Sequence, residues 1–471
     1  MSSAPTIDVP SPPRFSSRQR VILMVLLGAG FMLSVDFSIL NVALPEVGAG
    51  VGLGLGGLPW ITSAYALPAA GFTLLFGRLA DLFGRRRLFL SGMALLAGAS
   101  VLGGVASNPE MLLTARVLQG FATAMTLPAA LSLLTTTFEE GRLRERVLGL
   151  NGALLSGGFT VGALVGGALV SMVGWRAAFF INVPVAVAVA LVTPFVISPS
   201  RIPTRVRLDL PGAVTVTGGL LAVVYAAIEQ SLPVAIVGVL LLAAFWTIEL
   251  RAPAPLAPLR ILGRPTVTWG NYAGLVIFLM EPAMIFLMTL YLQKVLNLSP
   301  LATGLIFGVP GLAAVAAGVL AGRFVGRYGS RTILVVGMSV QGLATLPLVF
   351  LGTDRTALAV VIPALFIGFF GHVAAIVAFT VTATSGLADD EQGLATGLTS
   401  MTQQVAITIG IPMLSAVAAT QSVELTGIHL ALSVNVAVTL ASVVVIWIGL
   451  RPRAENRADP EVDAEAMAVP G

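Results

Sequence analysis

Cysteine is absent from the 471-residue chain, which removes disulfides, thiolate metal sites and cysteine nucleophiles at once. Charge is scarce too: 10% of residues are Asp, Glu, Lys or Arg, against about a quarter in soluble globular domains. Lysine is nearly missing, Lys294 being the exception among 26 basic residues. No G-x-x-x-x-G-K-[ST] phosphate loop occurs, which argues against direct ATP coupling. Gly52, Gly54 and Gly57 fit a G-x-G-x-x-G pattern, but no strand-like segment precedes them, and a dinucleotide site is discarded. Nothing here suggests an enzyme, a metal site or a cofactor.

What fills the chain is apolar residue, at 56%. Runs of the length needed to cross a hydrocarbon core of about 30 Å fall at 21–44, 58–76, 88–106, 111–135, 147–173, 178–197, 210–228, 232–250, 268–291, 301–322, 332–352, 357–384, 394–419 and 427–450. These fourteen runs predict an all-α polytopic membrane protein. The seventh and eighth are joined only by Glu229, Gln230 and Ser231, so a count of twelve is the rival. The Pro/Ser-rich start carries Arg14, Arg18 and Arg20 with no small-residue cleavage site behind them, and the first run reads as an uncleaved anchor.

Arginine supplies a topology, because cytoplasmic loops collect basic residues. With the N-terminus inside, 22 of the 26 basic residues fall in inside loops and tails. Only Arg176, Lys294 and Arg355 fall outside, and Arg116 lies within a run. Both termini are expected in the cytoplasm. The basic charge is thus accounted for without nucleic acid. An internal repeat agrees: Gly77-Arg-Leu-Ala-Asp-Leu-Phe-Gly84-Arg-Arg86 recurs, weakened, as Gly322-Arg-Phe-Val-Gly-Arg-Tyr-Gly329-Ser-Arg331, 245 residues later. The expected domains are a tail (1–20), a six-helix bundle (21–197), a linker with an inserted two-helix hairpin (198–265), a second six-helix bundle (266–450) and a tail (451–471).

A charge inside a span costs roughly 2.5–3.5 kcal/mol on insertion scales, so intramembrane charges are functional candidates. Asp36 lies in the first run, and the repeat offset carries it onto Glu281 in the ninth. Arg116, in the fourth run, reaches a depth close to that of Asp36 and is placed to pair with it. Gln119 and Gly120 follow on the same helix. His372 lies in the twelfth run, where its near-neutral pKa suits a proton carrier. Met280, Met284 and Met288 share a helix face and suit either an adaptable substrate wall or plain packing, while Gln341, Gln403 and Gln404 suit interhelical bonds. Asp81, with Gly77, Gly84, Arg85 and Arg86, has the makings of a latch that pairs in one conformation only. Gly158, Gly162, Gly166 and Gly167 have the small-xxx-small spacing of closely packed helices.

These segments resemble the major facilitator superfamily, and within it the fourteen-span drug:proton antiporters. The segment from Gly77 to Arg87 is similar to its loop 2/3 signature. Asp36 with Asn41, Val42, Ala43, Leu44 and Pro45 resembles the span-one signature, and Arg116, Gln119 and Gly120 that of span four. Gly158 through Gly167 resembles the span-five antiporter signature, except that Ala163 stands where proline is usual. Trp175, Arg176, Phe179, Asn182 and Pro184 look like the segment leading into span six. The resemblance implies two six-helix bundles with a two-helix insertion, and a cavity walled by spans one, four, nine and twelve. It also implies proton-driven efflux of hydrophobic or cationic small molecules by a monomer in a bacterial inner membrane, with no cofactor. Proton coupling would then rest on Asp36, Arg116, Glu281 and His372, and the substrate cavity on Asp36, Glu281, Met284, Gln119 and His372. Export of an endogenous metabolite or antibiotic, import of a nutrient and a non-transporting receptor are the alternatives.

Overall fold

The computed structural model describes residues 15–138, 142–198, 209–252, 261, 263–385, 387 and 389–451. The chain runs as α1 (Ser17–Val51), α2 (Leu58–Phe83), α3 (Arg85–Gly104), α4 (Pro109–Thr137), α5 (Arg142–Met172), α6 (Ala177–Val196), α7 (Leu210–Glu229) and α8 (Leu232–Glu249). It continues as α9 (Pro265–Leu290), α10 (Pro300–Tyr328), α11 (Ser330–Thr345), α12 (Leu358–Thr384), α13 (Asp389–Ala419) and α14 (Glu424–Gly449). No strand occurs among the described residues. Eleven helical stretches among them are long and apolar enough to cross a membrane. Along α2, α5 and α7 the described residues do not reach that mark.

Local signals start and stop these helices. Ser16 caps α1 in a reciprocal box with Gln19, while Asn108 and Ser299 cap α4 and α10, each followed by a proline at the first helical position. Most helices overrun the apolar run that announced them, α1 continuing to Val51, because backbone bonding persists where side chains turn polar. After α9 the helix widens into a π-turn over Tyr291–Val295. The repeated motif has a backbone reason. Gly84 and Gly329, its equivalent glycines, join α2 to α3 and α10 to α11 at φ 100° and 82°, a region that side-chain-bearing residues rarely enter.

Helix neighbours repeat between the two halves. α1 packs on α5, α4 and α6, and α9 packs on α13, α12 and α14. α2 and α3 pack on α4 as α10 and α11 pack on α12. The α7–α8 hairpin lies outside this pattern. Its Val216, Leu220, Val224 and Phe245 join Leu67 of α2 and partly buried Met401, Val405 and Ile409 of α13 in one apolar cluster.

The halves meet along two seams, α2 with α13 and α5 with α10. On the second, a Cβ added to Gly304 would lie 2.4 Å from the Ala163 carbonyl oxygen, and one on Gly167 would lie 2.6 Å from that of Pro300. Leu164 crowds Gly308 and Thr160 crowds Gly311 further along, but Gly318, Gly322 and Gly326 meet nothing within 4 Å. Contact along this seam therefore ends midway. Two hydrogen bonds reinforce the closed end. Gln293, presented by the π-turn, donates to the Val42 carbonyl at 2.8 Å, and the Leu301 amide donates to Ser171 at 3.0 Å.

Candidate functional site

Asp36 and Arg116 are both fully buried, so neither is solvated by bulk water and each needs protein partners. Arg116 Nη1 lies 3.3 Å from Asp36 Oδ2, joining α4 to α1. The guanidinium also donates through Nε to the Ile61 carbonyl at 3.0 Å and through Nη1 to Gln119 Oε1 at 2.7 Å, and it stacks 4.4 Å from the Tyr65 ring centroid. The other carboxylate oxygen of Asp36 accepts from the Asn182 amide of α6. Gln119 and Asn182 both donate to Ser100 of α3, at 3.0 and 3.3 Å, while Thr123 donates to the Tyr65 hydroxyl at 2.9 Å. Five helices of one half thus converge on one ion pair.

Close backbone packing places this network. A Cβ on Gly120 would sit 2.2 Å from the Tyr65 carbonyl oxygen, so α4 approaches α2 at the turn that carries Gln119. Asp36, Arg116 and Gln119 stand out in the sequence, and Asn182 stands there only within a family segment. Ser100, Tyr65 and Thr123 do not stand out, since a small hydroxyl or a tyrosine in an apolar run carries no charge cost to betray it.

A second buried polar group lies in the other half. Gln341 of α11 donates to Glu281 Oε2 at 2.8 Å, and His372 Nδ1 of α12 lies 3.8 Å from the same oxygen. A Cβ on Gly371 would lie 2.6 Å from the Gly337 carbonyl oxygen and 2.9 Å from the Gln341 nitrogen. That glycine pair lets α12 press on α11 and brings His372 beside Gln341. Phe278 and Phe369 flank the imidazole, with ring centroids 6.2 and 5.9 Å away. Met280, Met284 and Met288 are buried in the apolar core on α9.

The remaining candidates occupy other parts of the fold. Gly84 is buried between α2 and α3, and Arg86 donates to the Ile197 carbonyl at 3.0 Å. Arg18 donates to Val196 and Ser198 nearby, at 3.2 and 3.1 Å, so the α1 start, the α2–α3 junction and the α6 end share one end of the bundle. Arg85 is half-buried at the start of α3, and Gly77 faces Pro128 of α4 at 3.7 Å from its added Cβ. The side chain of Asp81 lies outside the described residues, as do those of Arg78 and Gln404. Gly158, Gly162 and Gly166 press on Phe31, Val35 and Ile39 of α1, whereas Gly167 presses on α10.

The Major Facilitator Superfamily model matches residues 26–411. This chain belongs to the major facilitator superfamily. It is therefore a multi-pass membrane protein. Among similar proteins is the puromycin resistance protein pur8 of Streptomyces alboniger, 34% identical over 463 residues, with 92% of each chain covered. Another is the cephamycin export protein CmcT of Amycolatopsis lactamdurans, 34% identical over 85% of each chain. The multidrug resistance protein Stp of Mycobacterium tuberculosis is 30% identical, over 86% of this chain and 76% of its own. Among solved structures, that of the peptide transporter POT in complex with sulfate superposes with a TM-score of 0.70 at 16% identity, covering 93% of this chain and 96% of the other. At that identity the likeness concerns the fold alone.

Proposed function

We propose that the protein is a proton-coupled efflux transporter of the fourteen-span drug:proton antiporter type, exporting hydrophobic or cationic small molecules by alternating access. The fourteen spans would be the eleven long apolar stretches together with α2, α5 and α7, arranged as two six-helix halves and the α7–α8 hairpin. Both termini would face the cytoplasm of a bacterial inner membrane. The relatives' roles in resistance and export support the direction of transport.

The observation that carries the coupling is the buried Asp36–Arg116 pair. While the Arg116 guanidinium bonds Asp36 it occupies the carboxylate, and a rearrangement that separates the two opens Asp36 to a proton. Gln119 and Asn182, bonded to the two partners, would set how readily they part. Glu281 and His372 would contribute to the cavity and carry further protons, with Met284 in the cavity wall. Asp81, with Gly77, Gly84, Arg85 and Arg86, would latch the two helices that Gly84 joins. Gly158, Gly162, Gly166 and Gly167 would hold α5 close to α1 and α10. The driving force is the proton gradient, so no cofactor is required, and the working unit is a monomer.

The test is Asp36→Asn in proteoliposomes carrying a pH gradient. An amide oxygen still faces Arg116, so the variant should stay folded by thermal unfolding in detergent. Gradient-driven efflux of a dye should vanish, and normal gradient-driven efflux by the folded variant would sink the proposal. Export of an endogenous antibiotic is the second reading, favoured by the similarity to the cephamycin export protein.

A further inference from the structure

With Glu281 ionised and His372 carrying its proton on Nε2, the Glu281 cluster holds more acceptors than donors. Glu281, Gln341 and His372 are at most 8% exposed. Glu281 Oε1, Gln341 Oε1 and His372 Nδ1 each make no hydrogen bond within the protein. Buried acceptors are as a rule satisfied, because leaving one unmatched forfeits its hydration. The only donor directed at the carboxylate from the protein, among the described residues, is the Gln341 amide. A matching ligand group is therefore rich in N–H, lacks acceptors and carries positive charge.

We infer that this cluster binds the protonated primary or secondary amine of a small-molecule substrate. The ammonium donates to Glu281 Oε1 and to a second acceptor, Gln341 Oε1 or the unprotonated His372 Nδ1. A quaternary ammonium has the charge but no N–H to give, so it satisfies none of these acceptors. The apolar part of the ligand lies against Phe278 and Phe369, which flank His372. Phe159 of α5 faces Phe369 at 6.5 Å between ring centroids, which sets the site beside the other half. A molecule bound there touches both halves and is sensitive to their relative motion.

This inference rests on the chain carrying small molecules and adds the chemical class of cargo. It is tested by binding, with no gradient present. Purified full-length protein in detergent is titrated with monodansylcadaverine, a fluorescent primary amine, and with its N,N,N-trimethyl analogue. The primary ammonium should bind about tenfold more tightly, as one charge-assisted hydrogen bond implies. Glu281→Gln should remove most of that preference, and His372→Phe or Gln341→Ala part of it, in protein that keeps its unfolding midpoint. Equal binding of the two probes by the wild type, as expected if water alone satisfies these acceptors, overturns the inference. So does an undiminished preference in Glu281→Gln. Preference without gradient-driven flux in proteoliposomes would leave the site standing and remove the efflux proposal; flux without preference would do the reverse.

Discussion

Removing the guanidinium of Arg116 would leave Asp36 buried with the Asn182 amide as its remaining polar partner. Breaking one side of a buried ion pair costs about 3–5 kcal/mol, so Arg116→Ala should lower the thermal unfolding midpoint markedly. The neutral double variant Asp36→Asn with Arg116→Gln should recover much of that loss without recovering gradient-driven transport. Stability and coupling would then separate, and a double variant no more stable than Arg116→Ala would show that the pair is not what holds α1 to α4. The charged members of this network were legible in the sequence because a charge in an apolar run stands out by its cost. Asn182 and Ser100 were not, since small polar side chains bond within and between helices at little expense. Glu281 and His372 stood together on spans nine and twelve through the family resemblance, whereas nothing in the sequence named Gln341 as the group bonded to Glu281.

At the scale of helices, glycine decides where backbones touch. The atom facing Gly304 is the Ala163 carbonyl oxygen, 2.4 Å from an added Cβ, and a backbone atom cannot swing aside as a side chain can. Gly304→Leu should therefore overpack the closed end of the α5–α10 seam, at about 1–3 kcal/mol, and lower the unfolding midpoint. Gly318→Leu, on the same helix where nothing lies within 4 Å, should not. Equal effects of the two would place the cost in helix propensity rather than in the seam. The spacing of Gly158, Gly162, Gly166 and Gly167 foretold close packing but not its partners, which are α1 for three of them and α10 for the last. Periodicity specifies which face of a helix is narrow and leaves open what comes to lie there.

For the whole molecule, contact along the α5–α10 seam is concentrated at one end, so the proposed cycle of alternating access has to release that end. Ser171 bonds the Leu301 amide there, and the Leu301 Cα lies 3.1 Å from the position of a Cβ on Gly167. Since the chain has no cysteine, an introduced pair reports without background. Ser171→Cys with Leu301→Cys should form a disulfide on oxidation, stop transport and regain it on reduction, while still binding substrate from the open end. Undiminished transport in fully oxidised protein would show that this end stays shut throughout the cycle.

The α7–α8 hairpin makes the molecule's two flanks unequal. Over the α2–α13 seam, Thr217 of α7 donates to the Gly71 carbonyl at 3.0 Å and Trp60 donates to Glu229 at 3.3 Å, so this seam is roofed by a third pair of helices. Along the α5–α10 seam, Val161, Leu305 and Leu312 stay exposed. In a bilayer, acyl chains would wet one joint between the halves and be kept from the other. A hydrophobic compound dissolved in the leaflet then has one flank from which to approach, and the protein, for all the symmetry of its halves, is handed toward its lipid.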